Sequence, residues 1–242
     1  MTDFDVVILG GGSGGYAGAL RASQLGLTVG LIEKDKLGGT CLHWGCIPTK
    51  ALLHAAEIAD AVRESGQFGV NASLEGVDLH QVNAYKDGVV DRLYKGLQGL
   101  IKSRGITVIE GHGRMIGPHT VDVDGTRFEG LSLVLASGSV TKTLPGLEID
   151  GERVLSSSEA MQLDAVPERA IVLGGGVIGV EFASAWRSFG ADVTIIEALP
   201  RLVATEDPAS SRVLERALRK RGVKVSTNTR FAGVERTESG VR

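Results

Sequence analysis

Cysteine is nearly missing from this 242-residue chain: Cys41 and Cys46 are the only two, with four residues between them. A disulfide that stabilises a fold closes a long loop. A pair this close closes almost nothing, so a structural staple is excluded as its purpose. Long apolar runs are missing as well. Nothing approaches the ~18 consecutive apolar residues of a membrane helix, and the opening MTDFDVVILG runs straight into a strand pattern, with no basic leader or cleavage site. An excess of either charge is lacking too. With 26 Lys and Arg against 29 Asp and Glu, the formal charge is −3, which leaves no electrostatic footprint for nucleic acid. The basic run from Arg216 to Lys224 has a helical period and reads as a solvated helix face. These absences predict a cytoplasmic protein with no nucleic-acid or membrane partner. In a reducing compartment, a close cysteine pair is redox-active or binds metal.

What is present is near-average for a globular protein, at 43% hydrophobic and 23% charged residues, enough for one or two domains with real cores. One pattern occurs twice. DVVILGGGSGGYAGALRASQLGLTVGLIEK opens the chain, and AIVLGGGVIGVEFASAWRSFGADVTIIEA returns at Ala170 to Ala198. Each reads as strand, glycine turn, amphipathic helix and strand. Gly10, Gly12 and Gly15 fit G-x-G-x-x-G, as do Gly174, Gly176 and Gly179. Glu33 follows Gly10 by 23 positions, and Glu197 follows Gly174 by the same 23. The first glycine permits a tight turn, the second lets a pyrophosphate approach the backbone, and the third allows close helix-to-strand packing. The phosphates meet a helix N-terminus, and the terminal acid accepts from a ribose diol while repelling a 2′-phosphate. Strand, helix and acid agree twice, which predicts an α/β protein with two Rossmann-like dinucleotide-binding domains. Two modules suggest two different nucleotides, with flavin and nicotinamide the natural pair.

Between the modules, Leu52 to Arg63 and Val82 to Arg104 have helical spacing, while ITVIEGHGRMI, HTVDVDG and SLVLASGS read as short strands. Pro145-Gly146 and Pro167 punctuate the passage to the second module, predicting a first domain over 1–148 and a second over 149–242. The second supplies strands near Ala170, Val193 and Val223 and is expected to be incomplete.

The cysteines follow Glu33 closely, in a loop opened by Gly38-Gly39, so they lie near whatever the first module binds. On a regular helix, residues five apart are separated by about 7.5 Å along the axis, beyond the ~7 Å Cα limit of a disulfide. Bridging them requires a local departure from helix, which Gly45 and Pro48 allow. A strained, accessible bridge is easily reduced and suits catalysis. The residues alone leave two alternatives: a zinc site of Cys41, His43, Cys46 and His54, although its spacing is not that of a zinc finger, and a pair of inert buried thiols.

GGTCLHWGCIPTK, with the two modules in this order and VLASGSVTKTLPG between them, resembles the flavin-dependent pyridine nucleotide-disulfide oxidoreductases, most closely their dihydrolipoamide-oxidising members, from Asp5 to the end of the chain. His43-Trp44, where Asn-Val is commoner, and Ser137, in a segment that usually reads Ala-Thr-Gly, depart from the pattern. The resemblance implies that Gly10, Gly12, Gly15, Glu33, Thr40 and Lys50 contact FAD, with Gly113, Ser137 and Gly138 completing its pocket. It implies that Gly174, Gly176, Gly179 and Glu197 hold NAD. Cys41 would be the outer sulfur that exchanges with substrate, Cys46 would lie against the flavin, and Lys50 would pair with Glu181 beside it. The implied reaction is oxidation of dihydrolipoamide by NAD⁺, the partner being the lipoyl group of a 2-oxoacid dehydrogenase complex, in a homodimer. Mercuric, glutathione-like or mycothiol-type reduction, or a non-catalytic dinucleotide-binding fragment, are the other expectations. The family's later His-Glu base has no counterpart among His43, His54, His80, His112 and His119. The chain is therefore expected to be an N-terminal portion that is inactive alone, lacking the C-terminal interface domain.

Overall fold

The computed structural model describes residues 3–238 and 240–242. In chain order the elements are β1 (Phe4–Leu9), α1 (Ser13–Gln24), β2 (Val29–Glu33), α2 (Gly39–His43), α3 (Cys46–Glu64), α4 (Leu79–Ser103), β3 (Thr107–Glu110), β4 (Gly113–Met115), β5 (Thr120–Val123), β6 (Thr126–Leu135), α5 (Ser157–Ala160), β7 (Arg169–Leu173), α6 (Val177–Phe189), β8 (Asp192–Ile196), α7 (Pro208–Lys220), β9 (Lys224–Ser226), β10 (Arg236–Thr237) and β11 (Gly240–Val241). Two helices begin earlier than their periodicity suggests. Pro48 sits in the first turn of α3, where a missing N–H costs no intrahelical bond. Asp78 caps α4, accepting from the backbone N–H groups of His80 at 2.9 Å and Gln81 at 3.2 Å.

The chain divides into two compact units that interleave along the sequence. One joins the residues up to Pro48 with Asp87–Thr141; the other joins Thr49–Lys86 with Lys142–Arg242. The division is not a single cut near residue 148, because Leu52, Ala56 and Leu79 bury their side chains in the core of the second unit.

The first unit is built on a six-stranded sheet in the order β3-β2-β1-β6-β5-β4. The strands β3, β2, β1 and β6 run parallel, and β4, β5 and β6 pair antiparallel. The β5–β6 turn contains Asp124 and Gly125, both at positive φ, as a tight Asp-Gly hairpin demands. Alternation along β1 and β2 sends Ile8 and Leu31 to one face, against α1 and α4, and Val7 and Ile32 to the other, against Val121 and Val123 of β5. All four of these strand residues are at most 1% exposed.

The second unit holds the parallel sheet β7-β8-β9 and the small antiparallel pair β10–β11. Its core runs from Leu52 and Ala56 of α3, through Val180, Phe182, Trp186 and Phe189 of α6, to Val193 and Ile195 of β8 and Leu218 of α7. Lys86 is wholly buried here and donates from Nζ to the Met161 carbonyl at 2.9 Å. Among the described residues, no helix is long and apolar enough to cross a membrane.

Candidate functional site

The two glycine turns have nearly the same construction. Gly10 and Gly174 leave their strands at φ +108° and +110°, a left-handed backbone that favours glycine. A Cβ at Gly15 would lie 1.7 Å from the Gly10 carbonyl oxygen, and one at Gly179 2.0 Å from that of Gly174, so only hydrogen lets each helix close on its turn. The middle glycines face open space instead: a Cβ on Gly12 would meet nothing nearer than 3.7 Å, and one on Gly176 nothing within 4 Å. These two residues are the N-caps of α1 and α6, and neither helix has a side-chain cap. Each N-terminus therefore presents uncapped N–H groups beside a cleared space, an arrangement that fits a pyrophosphate.

The acids at the ends of the second strands are engaged with the backbone of their own turns. Glu33 accepts from Gly11 N at 2.7 Å through one carboxylate oxygen, and from Lys34 N at 2.8 Å and Asp35 N at 2.9 Å through the other. Glu197 accepts from Gly175 N at 2.6 Å and Leu199 N at 2.7 Å. Each carboxylate thus ties the glycine turn to the following strand end. A carboxylate offers about four lone-pair sites, so room remains for about one more donor at Glu33 and about two at Glu197. A second tie crosses each turn: Gly38 N donates to Gly11 O at 2.8 Å, and Val203 N donates to Gly175 O at 2.7 Å. Val203 adopts φ +41°, costly for a β-branched residue.

The remaining residues expected around the first turn divide between the units. In the first unit, Ala136 N donates to Leu9 O at 2.8 Å, which brings the β6 end beside the turn; Ser137 N would be 3.2 Å from a Cβ at Gly10, and Gly138 follows at φ +75°. Gly113 opens β4 against Leu9 and Ile32, where a Cβ would be 2.4 Å and 3.0 Å from their side chains. Thr40 is exposed on α2. In the second unit, Lys50 Nζ meets Glu181 Oε1 at 2.9 Å, with side chains 60% and 23% exposed.

Cys41 lies in the middle of α2 and Cys46 is the first residue of α3, so the pair straddles a helix break at Trp44-Gly45. A Cβ on Gly45 would be 3.0 Å from Thr40 O and 3.5 Å from the Cys41 Cα; its absence lets the chain fold back there. Both cysteines are thiols, Cys41 half-buried and Cys46 exposed. Burial pushes the Cys41 thiol up, and the Cys46 side chain, by hydrogen bonding and charge repulsion, pushes it further; the Cys46 backbone N–H and the Ser13 hydroxyl oppose the rise. Cys41 is the more covered of the two. The two histidines of the zinc alternative have other engagements: His43 Nε2 is 2.9 Å from Leu37 O, and His54 Nδ1 is 3.4 Å from Glu57. Among the described residues, no three His, Cys, Asp or Glu are grouped to hold a metal ion.

Three features escape sequence reasoning. One is the use of Glu33 and Glu197 as braces of their own turns. Another is the His43 contact, whose ring also packs edge-on against Tyr94 at 5.0 Å. The third is a polar cluster in which Asp60 accepts from Ser188 Oγ at 2.6 Å and from Arg221 at 2.8 Å. Only the repeated 23-residue spacing could have hinted at the first.

Comparison with known proteins agrees with this construction. The chain is 44% identical over 242 residues to dihydrolipoyl dehydrogenase of Bacillus subtilis, covering 95% of this chain and 51% of that one. It is 40% identical to leghemoglobin reductase of Vigna unguiculata, covering 98% and 47%. Among solved structures, LpdA from Mycobacterium tuberculosis superposes with a TM-score of 0.89 at 30% identity, over 98% of this chain and 54% of that one. The HOCl-induced flavoprotein disulfide reductase RclA from Escherichia coli superposes at 0.81 and 30% identity, over 98% and 52%. The chain thus spans about half the length of the relatives it matches. The pattern of an FAD- and NAD(H)-using family runs over residues 4–242, and by that match the chain belongs to the pyridine nucleotide-disulphide oxidoreductases.

Proposed function

We propose that the complete protein oxidises dihydrolipoamide with NAD⁺, using Cys41 and Cys46 as a dithiol/disulfide couple. FAD would be held by Gly10, Gly12, Gly15, Glu33, Thr40, Lys50, Gly113, Ser137 and Gly138, and NAD by Gly174, Gly176, Gly179 and Glu197. When bound, the two cofactors supply a two-electron acceptor and a final hydride acceptor. The observation that carries the reading is the attachment of the cysteine helix to the first nucleotide turn: Gly38 N bonds Gly11 O at 2.8 Å, and Gly39 packs on the Gly12 backbone. A thiol pair fixed to this glycine turn supports a redox reading over a stabilising one.

The chain's own contribution is exchange. With the pair oxidised, one substrate thiolate attacks a bridge sulfur, the Cys41–Cys46 bond breaks, and a mixed disulfide forms. The second substrate thiolate then displaces that sulfur, so the substrate leaves as a disulfide and the protein is left as a dithiol. Lys50, paired with Glu181 at 2.9 Å, holds a positive charge available to stabilise negative charge. Glu197, with no basic residue directly following it, favours NAD over NADP. A homodimer acting on the lipoyl group of a 2-oxoacid dehydrogenase complex, in the cytoplasm, completes the assignment.

The test is NADH formation by the complete protein with dihydrolipoamide, beside NADP⁺ and beside other thiols such as glutathione. Turnover should require dihydrolipoamide and NAD⁺ and vanish in Cys41→Ser and Cys46→Ser. Faster reaction with NADP(H) and another disulfide would overturn the substrate assignment.

A further inference from the structure

We propose that His43 is a positioning residue that sets the thiol–disulfide equilibrium of Cys41 and Cys46, an inference that rests on reading those cysteines as a redox pair. The helix that carries Cys41 has five residues, far too few to persist unaided. Its first turn is tied by Gly38 to the nucleotide turn. Its last residue is His43, whose Nε2 lies 2.9 Å from the carbonyl of Leu37, just before the helix begins. A carbonyl only accepts, so Nε2 carries the hydrogen and donates. The other side of the ring packs edge-on against Tyr94 of α4, 5.0 Å between centroids, and Leu37 itself is buried.

The imidazole therefore closes the segment from Leu37 to His43 into a ring, with Cys41 inside it and Cys46 three residues beyond. Forming the bridge takes two electrons and two protons from the two thiols. Oxidised glutathione accepts them and leaves as two reduced molecules. How far this exchange runs depends on how often the Cys41 sulfur is presented to Cys46. When α2 is pinned, the sulfurs stay within reach; when it frays, Cys41 samples other positions and the bridge is disfavoured. Loss of one net hydrogen bond corresponds to about a fivefold change in that equilibrium.

The experiment equilibrates the complete protein in glutathione redox buffers and counts free thiols by a mass tag after denaturation. His43→Phe removes the donor and keeps a ring against Tyr94; His43→Gln keeps a donor of similar reach. The Phe variant should shift about fivefold toward the dithiol, and the Gln variant should stay within about twofold of the wild type. Melting temperature is read in parallel, because a merely structural role would lower it and leave the equilibrium where it was. An unshifted His43→Phe, or a His43→Gln that behaves like His43→Phe, overturns the inference. A wild type that forms no intramolecular bridge overturns the redox reading together with it.

Discussion

Replacing Gly15 with alanine tests the construction of the first turn most directly. The new Cβ would lie 1.7 Å from the Gly10 oxygen and 2.8 Å from its carbon, about 1.3 Å short of the 3.0 Å that a Cβ tolerates. Gly10 cannot give way cheaply. Its N–H is bonded to Ile32 O at 2.8 Å, and its own Cα faces the Ala136 carbonyl so closely that a Cβ there would be 2.2 Å from it. The helix must instead move off the strand, opening the packing of Ala19 on Ile8. Alanine improves helix propensity by about 0.5–1 kcal/mol, while forced overpacking costs about 1–3 kcal/mol or more, so a net loss of about 1–2 kcal/mol is expected. Gly14 and Gly18 in the same helix are the controls. A Cβ there would meet only ordinary contacts, at 4.0 Å and 3.7 Å, and each alanine should stabilise by up to about 1 kcal/mol. Hydrogen exchange of the β1 and α1 amides in the complete protein reads the difference locally, without requiring all units to unfold together. Equal protection in Gly15→Ala and Gly14→Ala would refute the packing argument.

Lys50→Met should barely change stability, since an ion pair with side chains 60% and 23% exposed is worth about 0.2–1 kcal/mol, yet dihydrolipoamide oxidation should fall by roughly two orders of magnitude or more; a variant that melts normally and turns over normally would remove Lys50 from the active site. In flavin-free protein, iodoacetamide should label exposed Cys46 ahead of half-buried Cys41, whose thiol is held protonated by burial, and added FAD should protect Cys46; protection of neither sulfur would sink the placement of Cys46 against the flavin. Asp150 accepts from the backbone of Glu152, Arg153 and Val154, which lowers its pKa from 3.8 to about 2. A depressed carboxylate stabilises the fold above its unfolded pKa and loses that contribution as pH falls through the folded one. Wild type should therefore resist proteolysis around 142–155 better than Asp150→Ala at neutral pH, and the gap should close between about pH 4 and pH 2; a gap independent of pH would contradict the assignment.

Much of this was legible beforehand because the glycine turns and their acids follow from backbone chemistry that leaves fixed spacings. Gly10, Gly15 and Glu33, and their counterparts Gly174, Gly179 and Glu197, occupy equivalent places in two turns. The start of α3 was not legible, because Pro48 reads as punctuation until its place in the first turn is known. The boundary near residue 148 came from punctuation as well, whereas the compact units follow side-chain burial by Leu52, Ala56 and Leu79, which pairs segments distant in sequence. Lys86 gives no warning of its burial: it donates to a backbone carbonyl at Met161, and carbonyls carry no sequence signature. His43 stands out only as an unusual letter between two cysteines; its contact with Leu37 depends on how a five-residue helix curls.

The double employment of Glu197 has a consequence for changing the cofactor. On the proposed NAD assignment, an acid that would receive the ribose also clasps Gly175 and Leu199, so it cannot be exchanged for a neutral or basic residue without releasing those two amides. Relaxing the choice of nucleotide and loosening the turn become one mutational event. A variant line drifting toward NADP would have to acquire a replacement acceptor for the Gly175 amide first, or pass through an intermediate that grips neither nucleotide well. The order in which substitutions can accumulate is thus written into a 2.6 Å hydrogen bond.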